Sequence, residues 1–517
     1  YAASALMNGM TYDEPAHLNA GIACLNDGTP DLDPAHPPLR AIYALPALFL
    51  RTPSPKHFLD PFPTNLSAAI LVGGRLVALG LFLLGCWIFG RVAGRWLGRG
   101  AGFAALLLAL YSPTLGAHAY LATTDVLFTM ATFGLTAALF EWLKKPGWVK
   151  ASLLGALAAV ALLAKFTGLL WCAILAFALL LYMGLRTAAL VRRGRLCEMR
   201  GRSVGLGLQL VFSGVLALFL VGAAYRFEGV GRPLGAMSFR AGGLAPKVGF
   251  LSWLPSPLPA AYLTSLDFIL DWSRMRSAYF HGEMRLRGNF LLYFPALILM
   301  KPPLFLHLLL LMGVAGFVRK RPWSAGLALL ALPPALFLVY ATFASGVQIG
   351  VRHVLPVFPF LFLAAAWAGT AARARWWRLL SIALITGFVL TGAAATPHHL
   401  AYFNCIAGGR ENAWRWFCDS NQDWGQGWPF IVECQQRHKR TLHFDPVEGE
   451  TTGWATVSTN QLVGLSPEGH RRMRWLREDM KRRRFIAPCW HVYKIPKNYW
   501  ETAETREPER PLEEREE

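Results

Sequence analysis

The sequence predicts an all-α polytopic membrane protein, with about ten transmembrane helices, further helices lying at the interface, and a small extramembrane α/β domain at the C-terminal end. Three observations lead there. Hydrophobic residues make up 54% of the 517 and charged residues only 16%, with a mean hydropathy of +0.35, too apolar for an ordinary soluble globular chain. Apolar runs alternate with short basic connections, and after Pro397 those runs give way to short strand-like pieces. The formal net charge of +20, from 51 Lys+Arg against 31 Asp+Glu, is sorted into the connections, which fits cytoplasmic loops beside an anionic leaflet rather than a nucleic-acid-binding face.

Taken in order, about ten mixed residues precede Asp13, too few to cross a bilayer, so a further helix ahead of Tyr1 is expected and the total becomes about eleven. Residues 41–50 are apolar but short and are followed by the Pro-rich 52–63, which reads as an interfacial helix and loop. Spans follow at 66–90, 101–118, 125–140, 151–163, 168–185 and 204–225, separated by the basic groups Arg91/Arg95/Arg99, Lys144/Lys145/Lys150 and the arginines from Arg186 to Arg202. The segment 226–289 is polar, with scattered Pro and Gly, and reads as a long loop with surface-lying helices. Further spans are expected within 290–318, with Lys301 near the outer interface, and at 324–343, 355–372 and 379–396. If every short basic loop is cytoplasmic, Asp13, His36, Asp125, Lys165, Arg352 and all residues after Pro397 share the opposite, external side. The chain then divides into a transmembrane domain 1–396, an external α/β domain 397–500 with strands near 453–458 and 491–495 and a helical stretch at 468–484, and an acidic, disordered tail 501–517. One or two disulfides among Cys24, Cys405, Cys418, Cys434 and Cys489 are compatible with that side.

The candidate chemistry lies in the polar loops. Asp13 and Glu14, in Thr11-Tyr12-Asp13-Glu14-Pro15-Ala16-His17, read as a general base whose pKa desolvation raises, against the plainer role of a helix cap. His36, in Ala35-His36-Pro37-Pro38-Leu39, either opens a rigid turn or holds a phosphate or a metal. Asp125 caps a span or supports the site. Arg75, inside a span, reads first as a structural pairing. His281 and Glu283, with Arg285, Arg287 and Lys301, either form a charged face of a surface helix or clamp a phosphate beside a metal. Arg352 and His353 add cationic groups on the same face. The motif from Cys418 to Gln426 reads as a structured turn, with Trp424 as a flat face for a sugar.

Together Tyr12-Asp13-Glu14, His36-Pro37-Pro38-Leu39, Asp125, Tyr293-Phe294-Pro295 through Lys301-Pro302, and Arg352-His353 before Leu355-Pro356 resemble the GT-C superfamily of membrane glycosyltransferases. The branch is family 39, that of the protein O-mannosyltransferases and the lipid A aminoarabinose transferase, in a bacterial subgroup with an external C-terminal extension. The resemblance implies a GT-C-like fold in the bacterial inner membrane with its site on the periplasmic side. It also implies a polyprenyl-phosphate-linked sugar donor, inversion at the anomeric carbon, and an acceptor that is a protein, a lipid or a glycan. On that pattern Asp13 with Glu14 is catalytic. His36, Lys301, Arg352, His353 and Arg285 bind the donor phosphate, while Asp125, Arg75 and His17 support the site. His281 with Glu14 would hold a divalent metal. The rival reading from another class is a transporter or flippase of lipid-linked or anionic substrates; the gathering of charge at one face and the lack of an inverted repeat in the span pattern weigh against it.

Overall fold

Each of the ten apolar segments is helical, because a run of Leu, Ala, Val and Phe offers the backbone no competing partner and a bilayer offers none either. The computed structural model describes residues 1–497 apart from 31, 58–66, 193–196, 241–242, 246–248, 321–324, 370–373, 439–440, 481, 483 and 487. The expected tail 501–517 lies outside the described residues. Five helices are individually long and apolar enough to cross a membrane: Ser67–Leu97, Asp125–Lys144, Thr167–Arg192, Val204–Ala224 and Arg375–Ala394. Two broken pairs raise this to seven, Arg99–Leu110 with Pro113–Ala119, bent by 60°, and Tyr293–Met300 with Leu304–Val318, bent by 103°. Alongside them lie further apolar helices, Trp148–Ala164 and Ala325–Phe343, of 17 and 19 residues, and the shorter Leu355–Ala368. The protein is a multi-pass membrane protein.

The breaks and polar side chains follow local chemistry. Ser112 caps the second half of the first broken pair, its hydroxyl accepting from Leu115 N–H (3.2 Å), with Pro113 in the first turn. Within Asp125–Lys144 the hydroxyls of Thr129, Thr132 and Thr136 donate to carbonyls of the preceding turn at 2.8–2.9 Å, so none is left unsatisfied in an apolar setting. That helix runs from Asp125 to Lys144, 20 residues or about 30 Å. Lys150 Nζ, at the far end, donates to the Glu141 and Lys145 carbonyls, while Lys165 returns to Asp125 at the near end. The basic loop and the candidate site thus sit at opposite ends of the bundle.

Around that near end lie the short elements. Asp13–Asn26 is an α-helix, and a 3-10 turn Pro38–Ala44 leads into the short helix Leu45–Phe49, as expected for an interfacial segment. The long loop carries the expected helix, Ala260–Ser273, and an unexpected hairpin of β1 (Ser277–Phe280) and β2 (Glu283–Leu286), paired antiparallel. His281-Gly282 turns the chain there with positive φ at both residues, so the reading of this stretch as a surface helix is corrected.

Residues 397–427 contain no strand and run as 3-10 turns against the helices. Beyond them the helix Trp428–His438 covers a sheet ordered β3 (His443–Phe444), β4 (Gly453–Ser458), β6 (Trp490–Ile495), β5 (Arg484–Ile486). Strands β3 and β4 are parallel, and β4, β6 and β5 pair antiparallel. One face packs Ala455, Val457, Tyr493 and Ile495 on Leu462, Trp475 and Leu476; the other packs Trp490 with Cys489 on Ile431. The stretch 468–484 is two short helices, Pro467–Arg472 and Arg474–Glu478, rather than one. Cys24, Cys405, Cys418, Cys434 and Cys489 are free thiols, so none of the disulfides compatible with that side is formed among them.

Candidate active site

Asp13 and Glu14 open the Asp13–Asn26 helix, where successive side chains point about 100° apart. They meet different surroundings. Glu14 is sealed: its oxygens accept from Arg75 Nε (2.8 Å) and Nη2 (2.7 Å), Thr11 N–H (2.9 Å) and hydroxyl (3.1 Å), and Ala122 N–H (3.2 Å). Arg75 spends its other N–H groups on the carbonyls of Ala5, Asn8 and Gly9. This pair ties the first helices together and leaves Glu14 no oxygen for catalysis or a metal. Arg75 is structural, as its plainer reading had it.

Asp13 faces the opening. Its carboxylate accepts from Arg352 Nη1, and the pair keeps 27% and 12% side-chain exposure respectively. Burial pushes the Asp13 pKa up, but the Arg352 guanidinium with His36 and His17 outweighs it, and the net direction is down. The expectation that desolvation raises this group is corrected: the sequence showed apolar walls but not the cation, which lies 339 positions away.

One turn after Asp13, His17 is buried and its ring lies 4.3 Å, centroid to centroid, from that of His36. Burial, then His36 and Arg40, hold the His17 imidazole well below the usual range, so it is neutral at neutral pH. His36 Nδ1 bonds Asp33 Oδ2 (3.2 Å), and Asp33 is itself held by Arg40 and by the Ala35 N–H (2.8 Å). Ligand atoms of Asp13, His17 and His36 all lie within 4.8 Å of one another.

Arg352 sits on a 3-10 turn, Val351–His353, its guanidinium 4.4 Å from the centre of the Trp424 ring and its buried Nε with no protein partner. The turn is pinned from the C-terminal segment. Asn421 Oδ1 accepts from Val351 N–H (2.9 Å), and its amide donates to the Tyr293 hydroxyl (2.9 Å); the Ser420 hydroxyl donates to the Ile349 carbonyl (2.7 Å). A Cβ on Gly350 would lie 2.3 Å from Ser420 Oγ, so only glycine fits this approach. Trp424 is 3% exposed beneath Arg352, which corrects its reading as an open sugar platform. His353 is neutral, its pKa driven down by burial and then by Lys165 and Arg352. Asp125 pairs with Lys165 (2.5 Å) and accepts from the Thr123 hydroxyl (3.3 Å), close enough to Arg352 for each to bias the other's charge.

Three expected phosphate or metal groups lie elsewhere. Lys301, 0% exposed, is at the 103° bend, and its ammonium donates to the carbonyls of Leu400 (2.6 Å) and Asn421. It secures the C-terminal segment and offers nothing to a phosphate. Arg285 is exposed and paired with Glu283 (2.5 Å). His281 stacks on Trp416 at 4.4 Å, and Glu14 is committed to Arg75, so the two make no metal pair; the metal-capable group is Asp13 with His17 and His36.

Sequence reasoning missed Asp419 and Arg276. They line a small cavity, about 30 Å³, together with Tyr279 and Gln348. The Asp419 pKa is raised: burial pushes it up and Asp13 adds to that, against the pull of Arg352, the Ser420 N–H and Arg276. The Cys418–Gln426 motif was visible in the sequence, but nothing in it tells which of its polar groups faces the site. Asp33, three residues before His36, carried a readable signal in its spacing.

No family model matches the chain, and no curated protein matches it. Among solved structures it is similar to ArnT from Cupriavidus metallidurans in the apo state, with 14% identity and a TM-score of 0.38 over 76% of this chain and 62% of that one. The chain thus spans less than two thirds of that relative's length. It is also similar to ArnT from Cupriavidus metallidurans bound to undecaprenyl phosphate, with 13% identity and a TM-score of 0.45 over 95% of each chain. Identity this low transfers no residue role.

Proposed function

We propose that the protein is a membrane glycosyltransferase that moves a sugar from a polyprenyl-phosphate carrier to an acceptor hydroxyl, on the periplasmic side of a bacterial inner membrane. In this reading it belongs with the GT-C enzymes of family 39. The observation that carries it is the half-open Asp13–Arg352 pair at the polar end of an apolar bundle, a carboxylate and a guanidinium beside each other where a lipid head group meets water. The similar ArnT structure holds undecaprenyl phosphate, a ligand of the class proposed here.

The chemistry asks little of the protein. An acceptor oxygen attacks the anomeric carbon, the bond from that carbon to the phosphate oxygen breaks, and the lipid phosphate leaves with the electron pair, inverting the centre. The acceptor proton goes to Asp13. Arg352 neutralises the departing phosphate. A phosphate drawing Arg352 away also removes the main influence that keeps Asp13 weakly basic, so donor binding itself readies the base. Asp125 with Lys165 sets the field behind Arg352, and His353 and His36 line the approach.

The test is single-turnover transfer by purified protein in detergent, with radiolabelled polyprenyl-phosphate sugars and a cell-envelope extract as acceptor. Label entering an extract component with wild type and not with Asp13→Asn is the expected result. Equal transfer by the variant overturns the assignment of Asp13, and donor binding without any transfer turns the reading towards a carrier.

A further inference from the structure

We infer that Asp13, His17 and His36 form a binding site for a divalent transition-metal ion of the zinc class. The inference concerns binding and does not rest on the transferase reading.

Two sequence segments build the site. Asp13 and His17 are four residues apart on one helix and therefore share a face. His36 reaches them from the following loop, with Pro37 and Pro38 stiffening the chain behind it. One donor atom from each lies within 4.8 Å of the other two. Ligands of a common zinc ion at about 2.0–2.2 Å stand about 3.3 Å apart, so small side-chain rotations close the set.

What lies around the three side chains distinguishes a site from a packed histidine pair. The Asp33 carboxylate engages His36 Nδ1 and is itself fixed by Arg40 and the Ala35 N–H. That arrangement orients the ring and leaves Nε2 as the ligand, the carboxylate–histidine pairing common behind bound metals. His17 is 2% exposed, and its Nδ1 is buried with no protein partner. Hydrophobic packing alone gives that nitrogen nothing, and buried polar atoms in folded proteins are almost always satisfied. On Asp13, Arg352 engages Oδ2, which leaves the second oxygen free.

Two imidazoles and one carboxylate suit zinc and its first-row neighbours; calcium and magnesium prefer oxygen donors throughout. The charges of Asp13 and Asp33 are cancelled by Arg352 and Arg40, so an added divalent ion leaves a net positive centre with an open position for an anion. The ion takes the Asp13 oxygen that Arg352 leaves free. A cation on one oxygen lowers the proton affinity of the whole carboxylate, so a loaded site slows any reaction in which Asp13 is the base.

The experiment uses the full chain without a histidine tag, stripped with a chelator and titrated with cobalt(II) and zinc(II) in detergent. Expected are one ion per chain by calorimetry, a cobalt visible spectrum of low-coordinate type, and an X-ray absorption signature containing two imidazoles. His17→Gln and His36→Gln should abolish stoichiometric binding, and Asp33→Asn should weaken it by about 10–100-fold. Gel-filtration profile and melting temperature report that each variant folds; Asp33→Asn serves if a histidine variant does not. Failure of wild type to retain an ion after gel filtration overturns the proposal, as does undiminished binding by folded His17→Gln. Neither outcome involves donor or acceptor, so the transferase reading stands or falls separately.

Discussion

Asp13 and Glu14 follow one another in sequence and each meets an arginine, but Glu14 and Arg75 are 0% and 1% exposed at the side chain while Asp13 and Arg352 keep 27% and 12%. Every oxygen of Glu14 is taken and its arginine is fully engaged. Asp13 has one oxygen free, and its arginine has an unpartnered Nε and lies against an aromatic face. The same charge pair is thus built once to stay closed and once to exchange partners. Motif spacing cannot distinguish the two, because adjacent residues on a helix simply face different neighbours.

That contrast can be broken at either pair. Glu14→Ala leaves Arg75 charged and uncompensated inside the bundle, and the expected loss is about 3–5 kcal/mol of stability, read as a large drop in melting temperature or as failure to purify folded protein. Asp13→Asn should cost clearly less stability than Glu14→Ala, because its pair keeps contact with water and the amide still offers Arg352 an acceptor, while lowering transfer by about 10²–10⁴-fold. If both variants unfold alike, the distinction between closed and exchangeable pairs is wrong. Asn421→Ala sharpens it further: it removes the acceptor for Val351 N–H and the partner of the Tyr293 hydroxyl. The expected cost is about 1–3 kcal/mol, with transfer falling more than donor binding because Arg352 is no longer held in place.

A smaller effect is expected at Asp419. Its carboxyl is held above the ordinary range, so the fold binds that proton more tightly than the unfolded chain does. The cost of ionising it is absent at low pH and grows as pH rises through the folded value. Asp419→Asn keeps an acceptor for the Ser420 N–H and removes the cost. Its melting temperature should exceed wild type at about pH 8, with the gain vanishing near about pH 4; a pH-independent difference refutes this. Smallest of all is Arg285→Ala, which removes an exposed pair and should stay within about 0.5 kcal/mol and leave transfer unchanged.

How far the sequence could be read follows from the range of the forces involved. Among the described residues, hydropathy located the long apolar helices, and short strand-like runs rich in β-branched and aromatic residues located β4 and β6, because those signals lie within one element. Sidedness gathered Asp13, His36, Asp125 and Arg352 before any coordinate. It failed where a partner is remote: Lys301 reads as an interfacial cation until Leu400 and Asn421 close over it. Arg352 likewise reverses the pKa that desolvation alone gives Asp13. The hairpin at Ser277–Leu286 was hidden because its charged composition imitates a surface helix, although His281-Gly282 is a turn signal.

The Lys301 ammonium has a bearing on how the molecule is made. Its hydrogen-bond acceptors come from residues synthesised long after the helices on either side of it, so until those residues arrive a charged group stands bare in an apolar bend. The membrane part therefore cannot reach its final state ahead of the polar part. Chains cut before Pro397 should be recognised as unfinished and degraded rapidly in a pulse–chase, and Lys301→Met should partly protect them. Assembly of the bend at Lys301 is gated by residues that emerge about a hundred positions later.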